Sequence, residues 1–598
     1  MSEALHTAQR RPPGPRRARP ARAARRVAAL ALAALSAVLP GCGRKTSHAD
    51  LVVRGAAVYT LDAARSWAEA VAVKGNRIVY VGGDRGVESW IGEKTRVIDA
   101  GGRMVLPGFQ DSHVHAVGGG VALAQLDLTG VLSRQEVSRR IRDYAKANPG
   151  LPWVLGRGWE PGAFLPSGVP DRQTLDLLVA DRPAFLDSSD GHTGWANTRA
   201  LEAAGITALT PDPRNGRVGR DDRSGEPTGI LYEYASTLLE KHIPAPSLEE
   251  RLAGLERAQA EFRRHGITSI IEASSGPADV ETFAQAAARG LLSVRATLSL
   301  RFRPDEGDEQ VDRFLAWRGQ LPEGLVRATA VKIPLDGIIE TYTAAMLEPY
   351  LDGPRDRGPI FVDPARLNGL VARLDREGFQ VHIHAIGDRA VRAALDAFEG
   401  ARSTNGARDA RHHVAHVEAV HPDDIPRFRE LGAAANFSPL WARADENTLD
   451  LTEPRLGPER SRWLYAMQSF VAAGAPVVFG SDWPVSSLEP VDGIEVAVTR
   501  EIEGGSPRGP WRPVERMTLP DAIAAYTVAG AWLDFSERER GSLEPGKLAD
   551  LIVLSENLFR TPPRRIHDVQ VDYTIFDGRL IHERSPAGGA APAAKPGG

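Results

Sequence analysis

Short apolar runs alternate with helical stretches along the central part of this chain, from residue 107 to residue 537. Alternation of this kind predicts parallel βα units, in which each strand is followed by a helix that covers the sheet. The predicted strands are 153–156, 184–186, 267–271, 294–300, 328–333, 380–384, 414–417, 433–436 and 477–479. The predicted helices are 133–147, 248–265, 278–289, 363–377, 388–397, 422–431, 463–473 and 520–529. These elements suffice for an α/β fold of the (β/α)8 TIM-barrel type, with an insertion at about residues 125–250.

Short β-like runs occupy both ends of the chain. The first set fills residues 50–106 and contains a Gly-Asn-Arg hairpin signal at 75–77, and the second fills residues 538–584. Because the two sets flank a long centre, we predict that they form one composite β-sandwich domain and that the barrel at 107–537 folds with its ends close together. The Ala/Gly/Pro-rich tail at 585–598 is predicted to be disordered.

The N-terminus predicts export. Residues 1–26 hold eight arginines and one acidic residue, and 27–38 is an unbroken run of Val, Ala and Leu with one Ser. This pattern is typical of a secretory signal, here 1–41, that is too short to span a bilayer stably. Its Leu-Pro-Gly-Cys ending resembles the bacterial lipoprotein signal, which implies lipidation of Cys42, a tether at 42–49 and anchoring in the bacterial cell envelope. A buried or chance cysteine after a plain signal peptide is the alternative.

Charge and cysteine content narrow the choice of partners. The whole chain has a formal charge of −4, and loss of 1–41 removes +7 (eight Arg minus one Glu), which leaves −11. We therefore expect no nucleic-acid partner, no membrane contact besides the lipid, and a small-molecule substrate. The only cysteine, Cys42, excludes an intrachain disulfide and a thiolate metal cluster. A homodimer is left open.

A His-x-His sequence follows the Pro107-Gly108 turn. Side chains alternate between faces in a strand, so His113 and His115 would point the same way and Val114 the other way. Two imidazoles on one face can bind one cation such as zinc. The alternative is two histidines at a polar strand end.

Other polar residues stand where later strands are predicted to end. Catalytic residues of (β/α) barrels lie at the carboxyl ends of the strands. Each of these residues alone has an ordinary structural explanation, but their order leaves room for βα units between them and favours a site. The series is His113, His115, Lys332, His384, His416 and Asp482.

Together these motifs resemble the amidohydrolase superfamily and, within it, the YtcJ-like branch, amidohydrolase family 3. The resemblance runs from about residue 50 to residue 581 and implies a metal-dependent hydrolase. Its marks are Leu-Pro-Gly-Phe-Gln-Asp-Ser-His-Val-His (106–115), Gly-Arg-Gly-Trp (156–159), Asp-Gly-His (190–192), Lys-x-x-x-Asp-Gly (332–337), His-Ala-Ile-Gly-Asp-Arg-Ala (384–390), His416, Gly-Ser-Asp-Trp-Pro-Val (480–485) and Gly-Ser-Leu-Glu-Pro-Gly-Lys-x-Ala-Asp (541–550).

The resemblance implies a ligand set for a divalent metal, which we expect to be zinc, as one or two ions. Lys332 matches the position that is carboxylated and bridges two ions in binuclear members; an unmodified lysine that touches substrate beside one ion is the alternative. The other implied ligands are His113, His115, His384, His416 and Asp482. The chain departs from its branch at 413–416, where His-Val-Ala-His replaces Arg-Ile-Glu-His, and at 338–340, where Ile-Ile-Glu replaces a small-residue turn. These departures leave substrate preference open.

The implied activity is hydrolysis of a carbon–nitrogen bond, other than a peptide bond, in a small amide, formamide or carbamate-like compound. Asp482 is expected to accept a proton from the metal-activated water and pass it to the leaving nitrogen. His192 is expected to be a catalytic donor to the oxyanion, whereas for His382 we favour a second-layer or core role. Substrate binding is assigned to Trp159, Glu160, Asp190 and His192.

Two other functions stay open. A deaminase or cyclic-amide hydrolase would use the same site and would release ammonia or a ring-opened product. A lipid-anchored binding protein with a decayed site is the other alternative, and the complete ligand set argues against it.

Overall fold

The computed structural model describes residues 48–585, except 166, 190, 214, 323, 354–355, 503–504 and 506–508. The predicted signal, Cys42, most of the predicted tether, nearly all of the predicted tail and Asp190 lie outside the described residues. Within that part of the chain, none of the helices has the length and apolarity that a membrane span requires.

Eight parallel strands form a central sheet that is nearly closed into a barrel. Each strand pairs with the next one along the chain, and almost every residue in them is buried. A strand that is covered on both faces appears in the sequence as a continuous apolar run. For this reason, the barrel strands from residue 267 onward could be predicted from the sequence. In chain order, these first to eighth barrel strands are Phe109–Val114, Ile267–Ser275, Arg295–Arg301, Val326–Pro334, Gln380–Ala385, His413–His416, Ala434–Phe437 and Val477–Phe479.

The first and eighth strands meet at a seam next to the predicted site. The backbone N–H of Asp482 donates to the carbonyl oxygen of His113 at 2.8 Å. The carboxylate of Asp111 accepts from the Ser481 hydroxyl at 2.5 Å and from the Ser481 N–H at 2.9 Å. A Cβ atom on Gly480 would lie 2.5 Å from the backbone nitrogen of His113, so only glycine permits this approach. The seam therefore fixes the first and last strand ends relative to each other.

Helices on the outside of the barrel follow its strands. Ser247 begins the first long one with a capping box, in which its side chain accepts from the N–H of Glu250 and the Glu250 carboxylate accepts in return. The helix predicted at 520–529 is in fact two, because Thr527 has non-helical angles (φ −134°, ψ −96°). The helices associated with the barrel are Ala116–Ala122, Leu248–Arg264, Pro277–Ala288, Gln310–Gln320, Pro364–Arg376, Asp388–Asn405, Ile425–Leu431, Glu453–Ser461, Met467–Ala472, Pro490–Thr499, Leu519–Ala525 and Val528–Leu533.

A second sheet of six strands lies between the first and second barrel strands in sequence. The predicted strands at 153–156 and 184–186 belong to this sheet and not to the barrel. Trp159, Phe164 and Trp195 pack edge to face in its core. Its strands, in spatial order, are Gly216–Arg220, Pro227–Glu233, Thr193–Ala196, Ala184–Ser188, Val154–Trp159 and Leu126–Asp127, and its helices are Arg134–Ala147, Arg172–Leu178, Thr198–Ala204 and Thr237–Glu240.

Two further sheets flank the barrel in sequence. One of them takes strands from both ends of the chain, because Leu551–Leu554 pairs antiparallel with Met104–Pro107. Apolar residues of both sheets share one buried cluster. That the two sheets form a composite sandwich domain stays a prediction. The four-stranded sheet has the order Arg77–Gly82, Ala70–Lys74, Leu51–Arg54 and Arg96–Asp99; the six-stranded sheet has Arg579–Glu583, Val571–Phe576, Leu551–Leu554, Met104–Pro107, Ala57–Tyr59 and Trp67–Ala68.

Candidate metal centre

Three histidines surround one carboxylate at the carboxyl ends of the barrel strands. The Nε2 atoms of His113 and His115 lie 3.3 and 3.1 Å from Oδ1 of Asp482. Nδ1 of His416 lies 3.9 Å from Oδ2 of the same carboxylate. One potential ligand atom each from His113, His416 and Asp482 fits within 4.8 Å of the other two. This spacing allows a single cation to contact all three residues.

His384 and Lys332 complete the predicted set. The ring of His384 lies 4.6 Å, centroid to centroid, from that of His416. Nζ of Lys332 lies 3.1 Å from Nε2 of His113. All six residues named from their order in the sequence are thus close neighbours.

The local backbone explains how these side chains converge. The first strand ends at Val114, whereas the predicted alternation required a strand that includes His115. His115 instead occupies the N-cap of the helix Ala116–Ala122. The two imidazoles still meet at Asp482. His416 and Asp482 have φ values of 75° and 55°, which is the left-handed region that residues other than glycine rarely adopt. Backbone strain of this kind clusters at functional sites.

Burial keeps the imidazoles in the form that binds a metal. Loss of hydration lowers the pKa of His113, His384 and His416 well below the ordinary histidine value, and the nearby Lys332 acts in the same direction on all three. These rings are therefore neutral, as metal ligation requires.

Unpaired polar atoms point to the same place. Among the described residues, Nδ1 of His416, Nε2 of His384 and Oδ1 of Asp482 are buried and make no hydrogen bond. Buried polar atoms without partners are costly, and a cation held between His416 and Asp482 would give these two residues a partner. Imidazole and carboxylate donors suit an ion of the zinc class. The residues therefore fit a divalent metal.

Two neighbours of the centre were not assigned from the sequence. The carboxyl group of Asp336 accepts hydrogen bonds from the N–H groups of Ala345, Ile386 and Gly387 at 2.8 to 3.0 Å, and burial raises its pKa to about 7. The only signal for Asp336 in the sequence was its position in the Lys-x-x-x-Asp-Gly motif that begins at Lys332. Trp441 stacks on the ring of His416, with 5.3 Å between the centroids. Nothing in the sequence pattern pointed to that contact.

His192 reaches the barrel from the second sheet. Its ring lies 5.9 Å from that of His384. Its Nδ1 lies 2.7 Å from Oε2 of Glu233, whose Oε1 accepts from the Thr343 hydroxyl at 2.6 Å. A Cβ atom on Gly337 would lie 2.5 Å from Oε1 of Glu233, which explains the glycine in the Lys-x-x-x-Asp-Gly motif. Glu233 was missed because no local motif marks it.

Trp159 and Glu160 were also assigned to substrate binding, and both make contacts within residues 159–195. Trp159 is fully buried, packs on Phe164 and Trp195, and donates from Nε1 to the carbonyl of Leu186. Its ring is thus enclosed in the core of the second sheet rather than offered to a pocket. The Glu160 carboxylate accepts from the Ser189 hydroxyl at 2.7 Å.

Comparison with known proteins gives relatives along most of the chain. Residues 96–582 match the amidohydrolase family. "Protein LONG AFTER FAR-RED 3" of Arabidopsis thaliana is 32% identical over 520 residues, which cover 85% of this chain and 88% of the relative. "Putative amidohydrolase YtcJ" of Bacillus subtilis is 29% identical, covering 89% and 99%. "N-substituted formamide deformylase" of Arthrobacter pascens is 28% identical, covering 90% and 99%.

A solved structure supports the same relationship. The chain resembles an uncharacterized metal-dependent hydrolase from Pyrococcus furiosus with a TM-score of 0.66 and 25% identity. The similarity covers 85% of this chain and 99% of the other. The shared fold therefore includes the barrel and most of what flanks it.

Proposed function

Because this chain belongs to the amidohydrolase family, we propose that it is a metal-dependent hydrolase that cleaves a carbon–nitrogen bond, other than a peptide bond, in a small amide, formamide or carbamate-like compound. The observation that carries the proposal is the convergence of His113, His115 and His416 on Asp482 at the strand ends. The formamide deformylase among the relatives supports this substrate class.

The metal site would be held by four imidazoles together with the aspartate. Its members would be His113, His115, His384, His416 and Asp482, and zinc is the ion that this donor set favours. A bound divalent ion would supply a water of lowered pKa and polarise the scissile carbonyl.

Asp482 is the proposed proton carrier. Its Oδ1 has no hydrogen bond among the described residues and faces the histidine nitrogens, whereas its backbone is fixed by the bond to His113. A carboxylate held in this way accepts a proton from the attacking water and returns it to the departing nitrogen.

Lys332 is proposed to decide between one and two ions. Burial lowers its pKa to about 7, so a substantial neutral fraction exists near neutral pH. The neutral amine is the form that adds carbon dioxide and, with loss of a proton, gives a carboxylated lysine, which would supply an anionic donor for a second ion. If Lys332 stays unmodified, its amine would touch the substrate in a site that holds a single ion.

His192 is proposed to stabilise the oxyanion. The Glu233 carboxylate contacts Nδ1 at 2.7 Å and so holds the ring, which lies 5.9 Å from the ring of His384. A donor placed where negative charge develops lowers the barrier without rearrangement during the reaction. Glu160 and Asp190 remain proposed for substrate binding.

Two alternatives make different predictions. Deamination releases ammonia from the same site, and opening of a cyclic amide gives one product without a leaving amine. A lipid-anchored binding protein with a decayed site would bind the small molecule unchanged. The complete, close-packed donor set favours the hydrolase.

We also propose that Cys42 is lipidated, that the protein is exported and anchored in the cell envelope, and that the flanking sheets form a composite sandwich domain. The Leu-Pro-Gly-Cys signal supports the first two, and the shared apolar cluster supports the third.

Metal content and turnover test the main proposal together. Protein purified with zinc is analysed for metal per chain and then offered N-substituted formamides, carbamates and cyclic amides, with ammonia measured separately. Zinc in the protein with release of an amine is the expected result. Zinc-free protein that binds but does not cleave these compounds would favour the binding protein, and ammonia as the product would favour the deaminase.

A further inference from the structure

A hydrogen-bonded chain of buried side chains lies behind His113. Nε2 of His382, in the fifth barrel strand, lies 3.2 Å from Nδ1 of His113. Nδ1 of His382 lies 3.0 Å from the hydroxyl of Ser299, in the third strand. His382 and Ser299 are fully buried, and His113 is 2% exposed. The chain thus crosses the barrel interior from the third strand to a proposed metal ligand.

The direction of these hydrogen bonds follows from the role of His113. Its Nε2 faces Asp482 and Lys332, so a metal bound there needs Nε2 without a proton. A neutral imidazole then carries its proton on Nδ1 and donates it to Nε2 of His382. His382 must therefore be protonated on Nδ1 and donate to Ser299.

We propose that Ser299 and His382 are positioning residues that orient His113 and support its tautomer with a bare Nε2. This inference rests on the proposed metal centre and adds two residues to it. Outer partners of metal-bound histidines usually are carboxylates or backbone carbonyls; here a histidine and a serine take that position.

The alternative tautomer of His382 shows why Ser299 matters. If His382 carried its proton on Nε2, that N–H would point at Nδ1 of His113. Nδ1 of His113 would then have to be without a proton in order to accept the hydrogen bond. That arrangement moves the proton of His113 to Nε2, where it blocks ligation. In the productive arrangement the hydroxyl of Ser299 accepts from Nδ1 of His382, and without that hydroxyl this buried N–H would lose its partner.

His413 provides a matched control in the same layer. It lies on the sixth strand, directly paired with His382, and the two ring centroids are 4.0 Å apart. It is fully buried, yet neither of its ring nitrogens has a hydrogen-bond partner among the described residues. A change at His413 disturbs the packing of this layer without breaking the chain to His113.

The test compares zinc affinity in the full-length protein, by competition with a coloured chelator, for the parent and for Ser299→Ala, Ser299→Thr, His382→Asn and His413→Asn. Loss of an outer partner weakens metal binding about 10- to 100-fold. We expect a loss of that size for S299A and H382N. We expect S299T, which keeps the hydroxyl, to bind nearly as well as the parent, and H413N to do the same.

Thermal unfolding of each metal-free variant shows whether it folds, so that affinity is compared only among folded proteins. Parent-like zinc affinity in folded S299A would overturn the proposal. Equal losses of zinc affinity in H413N and H382N would also overturn it, as would a parent protein that binds no zinc. If the expected affinities are found but no carbon–nitrogen bond is cleaved, the proposed function fails and the proposal about Ser299 and His382 stands.

Discussion

The backbone N–H of Asp482 donates to the carbonyl oxygen of His113, 2.8 Å away, across the seam of the barrel. The two residues belong to opposite ends of the barrel sequence, yet this bond sets their relative position before any side chain is considered. The proposed proton carrier and a proposed metal ligand are therefore held by the main chain, and Gly480 is what allows the strands to approach.

Replacement of Gly480 by Ala should destabilise the protein. The added methyl group would lie 2.5 Å from both the nitrogen and the Cβ atom of His113, so the strands must separate. Crowding of this kind costs about 1–3 kcal/mol, measured as the free energy of unfolding in urea. Gly369 lies on an exposed helix surface with open space around it, and Gly369→Ala should be neutral or stabilising. Equal effects of the two substitutions would contradict the assignment of the seam.

With zinc in excess, Asp482→Asn should still hold zinc through the remaining imidazoles but lower kcat by about 10²- to 10⁴-fold, because the amide cannot take up the proton of the attacking water. Zinc per chain and steady-state kinetics on a cleaved amide provide the measurement. Asp423→Asn, at an exposed carboxyl group, is the control and should leave both unchanged. Parent-like turnover in the Asp482 variant would remove this residue from the proposed mechanism.

Glu233→Gln should lower kcat about 10-fold or more while zinc content stays the same, because His192 loses its charged partner at Nδ1. Glu226→Gln changes an exposed glutamate just before the same strand and serves as the control. Thr343→Val removes the other contact of the Glu233 carboxylate and should have a smaller effect of the same kind. A loss of zinc in Glu233→Gln would mean that Glu233 acts on the metal centre and not through His192.

Lys332 should make zinc loading depend on bicarbonate. Its lowered pKa of about 7 provides the neutral amine that carboxylation needs. Metal-free parent is reconstituted with zinc, with and without bicarbonate, and should bind about two ions in the first case and about one in the second, as expected for a binuclear site. Lys332→Ala should bind about one in both. Loading of one ion under every condition would support the mononuclear alternative.

His265 should make the protein less stable in acid. Burial, reinforced by Arg264 and His582, lowers its pKa from 6.5 to about 4. Between these values the unfolded chain binds more protons than the folded one, so this contribution to stability is complete above pH 6.5 and is lost as the pH falls toward 4. Relative to His265→Gln, the parent should lose about 2 kcal/mol of unfolding free energy between about pH 7 and about pH 5. Urea unfolding at both pH values measures the difference, and identical losses would contradict it.

Most of the barrel and of the candidate metal centre could be predicted from the sequence, and the reason is physical. Strands buried on both faces must be apolar throughout, so polar residues at their ends stand out, as Lys332 and His416 do. The end of the first strand at Val114 was harder to predict, because His115 already occupies the N-cap of the helix Ala116–Ala122 and no longer follows the two-residue alternation.

Contacts between distant segments could not be predicted in this way. Glu233 ends a strand of the second sheet and carries no local signal, yet its partners His192 and Thr343 come from different parts of the chain. Trp159 was assigned to substrate binding, and no local pattern signalled that its ring packs on Phe164 and Trp195 in the core of the second sheet. Such contacts depend on how whole elements dock, and local pattern does not carry that information.

The pairing of Leu551–Leu554 with Met104–Pro107 also bears on how the chain is made. On a ribosome, Met104–Pro107 emerges with most of the chain still to be translated, so the edge that its partner will cover stays open. An open strand edge is a template for association with other chains. Synthesis that stops short of Leu554 therefore leaves an aggregation-prone edge directly before the strand that carries His113.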